Sequence, residues 1–334
     1  LASVGLIYAA SVQAAAPARD QTGAPASLPA GIDPAIFQAQ VQLDRAGFAP
    51  GIIDGRHGRF FVAALKAFQD ARGLEQSGVL DAASRKALAS ERAPTLIRMV
   101  LRAQALEATF TPDIPSRIVD QASLPFLGYR NLLEKLCERF HTSSDTLLQL
   151  NPGLKTPRAE MELLLPGLIP SDRAYDPGLP ARWRDMLSDL NISASQPRAA
   201  RIIVSKSQSV LRVLDAQGRL IAQFPATTGS DHDPLPLGQW KVRTTAFMPT
   251  YHYNPDLFWD ADSSDQKAQL SAGPNNPVGV VWIDLDKPHY GIHGTPEPSL
   301  IGRSQSHGCI RLSNWDAARL AQMLQADTPA EFVA

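Results

Sequence analysis

The run Ser306-His307-Gly308-Cys309-Ile310-Arg311-Leu312 sets a cysteine between a His-Gly pair and an arginine. A second such pair, His293-Gly294 followed by Thr295, lies 14 residues before His307. A thiol attacks only as its thiolate, and free cysteine titrates near ~8.5, so a useful nucleophile needs a base or a positive charge beside it. Two histidines and an arginine supply both, and the pattern points to acyl transfer through Cys309. His307, two residues before Cys309, shares its side of an extended strand. His293 belongs to a separate run, Tyr290–His293, which tertiary structure can set face-on to the sulfur. His293 is therefore favoured as proton acceptor, and later as donor to the leaving amine. The Gly294 carbonyl, or a neighbouring one, is placed to hold the other imidazole nitrogen and fix the tautomer. Gly308 lets the backbone approach a substrate closely. The amides of His307, Gly308 and Cys309 are candidate oxyanion donors, each worth ~3–4 kcal/mol of barrier. Arg311 either binds a substrate carboxylate or braces the loop. Ser306, Thr295 and Tyr251 complete the set expected to line the substrate.

Other chemistries fit these residues less well. Zinc held by His293, His307 and Cys309 would have three ligands and no second Cys/His pair, and a zinc-bound thiolate is not a free nucleophile. A papain-like endopeptidase needs a different sequence around its cysteine. A wall-binding protein with a decayed catalytic domain would not be expected to keep His293, His307, Cys309 and Arg311 together. The other cysteine, Cys137, lies on an apolar helical face and reads as a small core residue. A Cys137–Cys309 disulfide would silence the nucleophile.

These residues must be held by a scaffold, and 334 residues suggest two or three domains at ~150 residues each. An apolar content of 44% and a charged content of 19% are those of a globular chain. A formal net charge of −1, with no basic run, gives no electrostatic footing for nucleic acid or an acidic membrane. Residues 1–16 carry no charge and read as the remnant of a secretory signal peptide. They are short of the ~20 residues that a membrane span needs, so no transmembrane anchor is expected. Residues 17–34, rich in Pro, Ala, Gly and Ser, read as a linker.

From 35 to 91 the apolar spacing is helical, with turn chemistry at Gly51–Gly55 and a last helix near Asp81–Ala89. Leu96–Leu106 reads as one further helix, then a connection runs to Leu127. In the unit 128–168 a helix leads to Arg139-Phe140-His141, Ser144 can cap a second helix, Asn151-Pro152-Gly153 ends it, and Met161–Pro166 closes as a strand. His141 is expected to be an exposed or capping residue. A connector, 169–198, carries one helix over Leu179–Leu190. From 199 to 334 the pattern changes to short strands with a hairpin turn at Asp215–Gly218, then a late helix over Asn314–Gln325 that Ser313 can cap. That density of strands suggests a sandwich or barrel.

Three resemblances follow. The constellation His293-Gly294-Thr295…Ser306–Arg311, with Thr227-Thr228-Gly229, Pro236-Leu237-Gly238, Asn275-Asn276-Pro277 and Trp282, resembles the YkuD-type L,D-transpeptidases of the periplasmic ErfK/YbiS-like branch over Arg201–Val333. The pattern Gln40…Gly47-Phe48…Gly51…Asp54-Gly55…Phe68-Gln69…Gly73-Leu74…Leu80-Asp81 resembles the small three-helix peptidoglycan-binding module. Phe60-Phe61 departs from it where that family usually opens a helix with Thr or Ser. Residues 128–168 resemble a degenerate LysM module, a glycan-binding βααβ unit, without its usual Gly-Asp-Thr-Leu start.

The resemblance implies a multidomain chain whose catalytic unit is a mainly-β sandwich. It implies an exported cell-envelope enzyme, no cofactor, and peptidoglycan as partner. Cys309 would attack the third residue of a tetrapeptide stem and release D-alanine. The acyl group would pass to an amine: another stem in a 3-3 cross-link, a lysine of an outer-membrane lipoprotein, or a free D-amino acid. Water in place of the amine would make an L,D-carboxypeptidase. The family's loop lid would fall on Tyr251–Asn254 and Phe258-Trp259. Tethered wall-binding modules would raise the effective concentration of substrate at the catalytic unit.

Overall fold

The computed structural model describes residues 28–334 except 91, 92, 107, 108 and 260. The signal segment 1–16 and most of the 17–34 linker lie outside the described residues. Among the described residues no helix is long and apolar enough to cross a membrane.

The first unit is three helices, α1 (Pro34–Arg45), α2 (Arg59–Ala71) and α3 (Ala82–Leu88). The Asp33 side chain accepts from the amides of Ala35 and Ile36, and Pro34 stands where a first-turn N–H would go unused. Leu43, Phe48, Leu65 and Phe68 close its core. The first turn of α2 has no side-chain cap, because Gly58 precedes it. The departure at Phe60-Phe61 has a packing use instead: Phe61 is buried, and the Phe60 ring lies so close to Gly302 that a Cβ there would strike it.

In the second unit, strand β1 (Leu96–Val100) pairs antiparallel with β2 (Glu162–Pro166). Between them come the short α4 (Ala103–Leu106), a long loop, α5 (Leu132–Arg139) and α6 (Ser144–Leu150). The helix expected over Leu96–Leu106 is thus a strand followed by one helical turn. Pairing with Leu163 and Leu165 buries Met99 and half-buries Ile97, and that alternation is a strand's period. The cap of α6 is Ser143, one residue before the expected Ser144. Cys137 packs against this core, and burial, with Glu138 and Glu134 nearby, pushes its thiol up to about 12. Both cysteines are free.

After α7 (Ala181–Asp189) the third unit holds β3 (Arg201–Ser205), β4 (Val210–Leu214), β5 (Leu220–Pro225), β6 (Thr227–Thr228), β7 (Gly238–Phe247), β8 (Tyr251–Tyr253), β9 (Ala268–Leu270), β10 (Val281–Leu285), β11 (Gly291–His293), β12 (Ile310–Arg311), α8 (Asn314–Met323) and β13 (Pro329–Val333). Nine of these strands form one sheet in the order β5-β4-β3-β13-β7-β10-β11-β12-β6. Strand β7 joins two halves: its start pairs with β13 and its end with β10. The two edge strands, β5 and β6, are consecutive in the chain with only Ala226 between them, so the sheet curls until it is nearly closed. The expected sandwich is therefore two halves of a single curled sheet. Its interior is one core in which Val204, Leu211 and Phe224 of one half meet Ile283, Ile292 and Ile310 of the other, with Trp315 of α8 and Trp183 of α7.

The units are packed on one another, not strung on tethers. The first covers the edge of β5: the Ala49 amide donates to Gln223 O at 2.8 Å and the Gln223 amide to Gly47 O at 3.0 Å. Covering an edge strand removes an invitation to aggregate. At the centre of all three units Asp44 of α1 accepts from Arg319 of α8 at 2.8 Å and lies 3.0 Å from His141 Nδ1, while His141 Nε2 donates to Leu190 O. His141, expected at the surface, is fully buried and stacked on Trp315 at 5.0 Å. Burial alone would raise the Asp44 carboxyl, but His141 and Arg319 outweigh it and hold it well below the usual range. Asp316 is pushed up to about 7 by burial and by the Asp44 charge.

A second buried joint links α5 to α8. Glu138 accepts from Asn314 Nδ2 at 2.8 Å and from the Tyr129 hydroxyl at 3.1 Å. Burial raises Glu138 to about 8 against these hydrogen bonds. The folded state therefore keeps a proton that the unfolded chain releases above its ordinary value near 4.5. The stability from this group is fully present below about 4.5 and is lost as pH rises through about 8. Glu138→Gln keeps the shape and removes the titration. Between pH 6 and pH 9 the wild-type melting midpoint is expected to fall further than that of the variant, Asp316 being common to both. Parallel curves in a thermal-melt series across pH would contradict the assignment.

Candidate active site

Cys309 stands immediately before β12, which runs parallel to β11 with Ile292 opposite Ile310 and His293 opposite Arg311. Alternation along the strands puts Ile292 and Ile310 on the core face and His293, Arg311 and Cys309 together on the other. The turn into β12 is fixed by Gly308, whose φ of +92° favours glycine and against which the Tyr290 ring packs: an added Cβ would lie 2.6 Å from it. Ser306 braces the same turn. Its hydroxyl donates to Cys309 O at 2.6 Å and accepts from the Gly229 amide at 2.7 Å. Ser306 was expected to line the substrate; it is 2% exposed, with its hydroxyl engaged inside the loop. Thr295 is also buried, its hydroxyl accepting from the Glu297 amide.

His293 is held on three sides. Its Nδ1 lies 2.7 Å from Gly294 O. A carbonyl only accepts, so Nδ1 carries the proton and the neutral ring presents a lone pair at Nε2. Trp282, its cross-strand partner on β10, stacks on the imidazole at 5.4 Å and 17°. Behind Gly294 stands Asn314, whose Oδ1 would be 2.3 Å from any Cβ at Gly294. Burial, then the nearby Arg311 charge, depress the imidazole to about 3 against the raising effect of the Gly294 bond. The sulfur faces the opposite pressure. Burial raises the Cys309 thiol, while a backbone hydrogen bond from Gly291 and the charge of Arg311 lower it less than burial lifts it. The sulfur lies 3.7 Å from His289 O, a contact suited to a protonated thiol. Both shifts favour the uncharged forms, a thiol and a neutral imidazole.

Arg311 donates to Gln305 O at 3.2 Å, so it braces the loop while its charge acts on both His293 and Cys309. His307 lies against an aromatic flap, with its ring edge-on to Phe258 at 4.8 Å and 6.2 Å from Trp259. Tyr251, on β8, is close enough for the Cys309 charge to act on it: burial first and that charge second lift its hydroxyl to about 12. His252 and His232 are exposed, and His232 stacks on Trp259. Among the described residues no three His, Cys, Asp or Glu side chains converge on a metal-sized site. The sequence reading gave no roles to Tyr290, Asn314 or the stacking face of Trp282. A Trp with a His eleven residues later carries no local signal; the antiparallel register that opposes them forms only in the fold.

Residues 199–331 match the family described as L,D-transpeptidase catalytic domain, and residues 33–88 match the family described as "Putative peptidoglycan binding domain". The chain is similar to the "Putative L,D-transpeptidase YkuD" of Bacillus licheniformis, 28% identical over 198 residues that cover 59% of this chain and 90% of that protein. It is similar to the "Putative L,D-transpeptidase in ATP synthase subunits region ORF 5" of Fuscovulum blasticum, 42% identical over 146 residues, 44% of this chain and 72% of that one. A solved L,D-transpeptidase of Xylanimonas cellulosilytica aligns over 92% of this chain and 99% of its own at 14% identity and a TM-score of 0.36.

The direction of both shifts has a pH signature. Alkylation of Cys309 by iodoacetamide is expected to climb by about tenfold per pH unit from pH 7 to above pH 8.5, following the thiolate fraction. A rate already level by pH 7, as a thiolate–imidazolium pair would give, would contradict the assignment. Cys137 is expected to stay unlabelled in the folded protein, by peptide mass mapping.

Proposed function

The chain belongs to the L,D-transpeptidase family, and from that membership we propose that it acts on peptidoglycan tetrapeptide stems through a Cys309 acyl-enzyme. The observation that carries this reading is the His293 ring, fixed by Gly294 with Nε2 unprotonated on the face it shares with the sulfur. A base with that tautomer takes the thiol proton as the sulfur adds to the carbonyl of the third stem residue. The proton transfer accompanies attack, because the two groups are neutral beforehand. Collapse breaks the bond to the terminal D-alanine, whose amine takes the proton from His293. A thioester on Cys309 remains. In the second half an amine adds to the thioester carbon, the C–S bond breaks, and the amine's proton passes by way of His293 to the sulfur.

Backbone amides around Gly308 are the candidate oxyanion donors, because the bend at φ +92° turns this stretch of chain out of the strand. Tyr251, within electrostatic reach of Cys309, is proposed to line the entering stem, and Arg311 to add positive charge for the carboxylate of the departing residue. The amine can be the side chain of a second stem, a lysine of an outer-membrane lipoprotein or a free D-amino acid; water would release a tripeptide. The helical unit 35–91 and the β1–β2 unit, whose closing part 128–168 resembles a LysM module, are proposed to hold the glycan. The segment 1–16 is proposed as an export signal, which places the enzyme in the cell envelope.

Intact-mass spectrometry with a disaccharide-tetrapeptide tests this reading. The expected result is an acyl adduct on Cys309 with loss of D-alanine, discharged by added amine. Cys309→Ala is expected to abolish turnover, and His293→Ala to slow acylation by at least about a hundredfold. Turnover by Cys309→Ala would sink the mechanism.

A further inference from the structure

The loop between α4 and α5 belongs to the second unit in sequence but packs on the active-site flap of the third. Thr111 ties its neck: the Thr111 amide donates to Tyr129 O at 2.8 Å, and its hydroxyl accepts from the Gly128 amide. From there the loop reaches across to β8, β9 and the turn between them. Ile114, Ile118, Val119, Leu124 and Leu127 of the loop form one apolar cluster with Tyr251, Tyr253, Phe258 and Leu270 of the flap. Polar bonds pin it at both ends. Leu127 exchanges backbone bonds with Ala272 O and the Asn275 amide, and Ser271 Oγ donates to Leu124 O at 2.7 Å. At the far end Arg117 pairs with Asp265 at 2.8 Å, and Asp265 also accepts from the Tyr253 hydroxyl at 3.0 Å. Arg117 is half exposed, whereas the Asp265 side chain is only 9% exposed.

The clamp leads to the chemistry in two short steps. Tyr253 stacks on Phe258 at 5.6 Å, and Phe258 meets the ring of His307, two residues before Cys309. Tyr251, the neighbour-but-one of Tyr253, lies within the electrostatic reach of the sulfur. A thioester is open to water as well as to amines, and a closed flap excludes water from the carbon under attack.

We infer that the 111–129 loop is a strap that holds the flap down over Cys309 and so sets how the acyl-enzyme divides between amine and water, with Asp265 as its positioning residue. The inference rests on the acyl-enzyme reading above. With an amine the C–N bond forms as C–S breaks and the proton returns to sulfur; with water the C–O bond forms in the same way and the product is a tripeptide acid. The strap acts on the second half-reaction by deciding which nucleophile arrives.

The test compares wild type, Arg117→Ala, Asp265→Ala, the double variant and Ser271→Ala, all as full chains. The substrate is the disaccharide-tetrapeptide, with its own side-chain amine and added D-methionine as acceptors. The expected result is a ratio of tripeptide to amide product raised roughly threefold or more in each single variant, with the acylation rate within about threefold of wild type. The double variant should do no more than the stronger single, because Arg117 and Asp265 act as one pair. Arg117→Lys should restore the wild-type ratio. An unchanged ratio in Arg117→Ala, whose half-exposed side chain the fold tolerates losing, overturns the strap. So does a wild type that yields only tripeptide. A wild type that forms no adduct on Cys309 overturns the acyl-enzyme reading itself, which separates the two failures.

Discussion

Asn314 is the side chain on which the site depends. Its Oδ1 takes the Val280 amide, and its Nδ2 gives to Glu138 Oε1 and to Pro274 O. It sits against Gly279 and Gly294 so closely that neither position has room for a Cβ. The carbonyl that orients His293 is thereby fixed by a residue at the start of α8, which is fixed in turn by a glutamate from a different unit. Left unpaired in this buried position, any of these polar atoms would cost on the order of 1–3 kcal/mol. The polar knot therefore sets the geometry around His293 more firmly than the short strand β11 could alone.

Burial works on Cys309 and His293 in the same sense, since each is driven towards its neutral form. In the mechanism proposed above, such a site would hold a thiol in place of a thiolate and keep a proton acceptor ready for the arrival of a carbonyl. Arg311 moderates the arrangement from one position, because its charge helps the thiolate and opposes the imidazolium. Storing a thiol instead of its anion also limits side reactions with oxidants, whose target is the anion.

Much of this was legible in residue order. The Gly294 carbonyl beside His293 follows from local spacing, and so do the cap at Ser313 and the hairpin turn at Asp215–Gly218. What escaped were contacts whose partners lie far apart in the chain. Leu96–Val100 reads as part of a helix until β2, some sixty residues on, supplies a partner. His141 looks like a surface residue because nothing near it in sequence shows that Asp44, Leu190 and Trp315 will enclose it. Ser306 looks like a substrate contact because its two hydrogen-bond partners include Gly229, which only the β6–β12 pairing brings close. The strap over the flap is the extreme case: two loops without periodicity, joined by an apolar cluster neither announces.

The first unit adds its Phe48–Ala49 segment to the edge of the catalytic sheet and shares a buried ion pair with α8. A module mounted in this way does not search a volume around the enzyme as one on a flexible leash would. Any glycan strand held by α1–α3 lies at one distance and one bearing from Cys309. On the proposed function the molecule would then act as a gauge laid against the wall: stems that project at the matching interval would come within its grasp, and equally abundant stems at other intervals would pass it by.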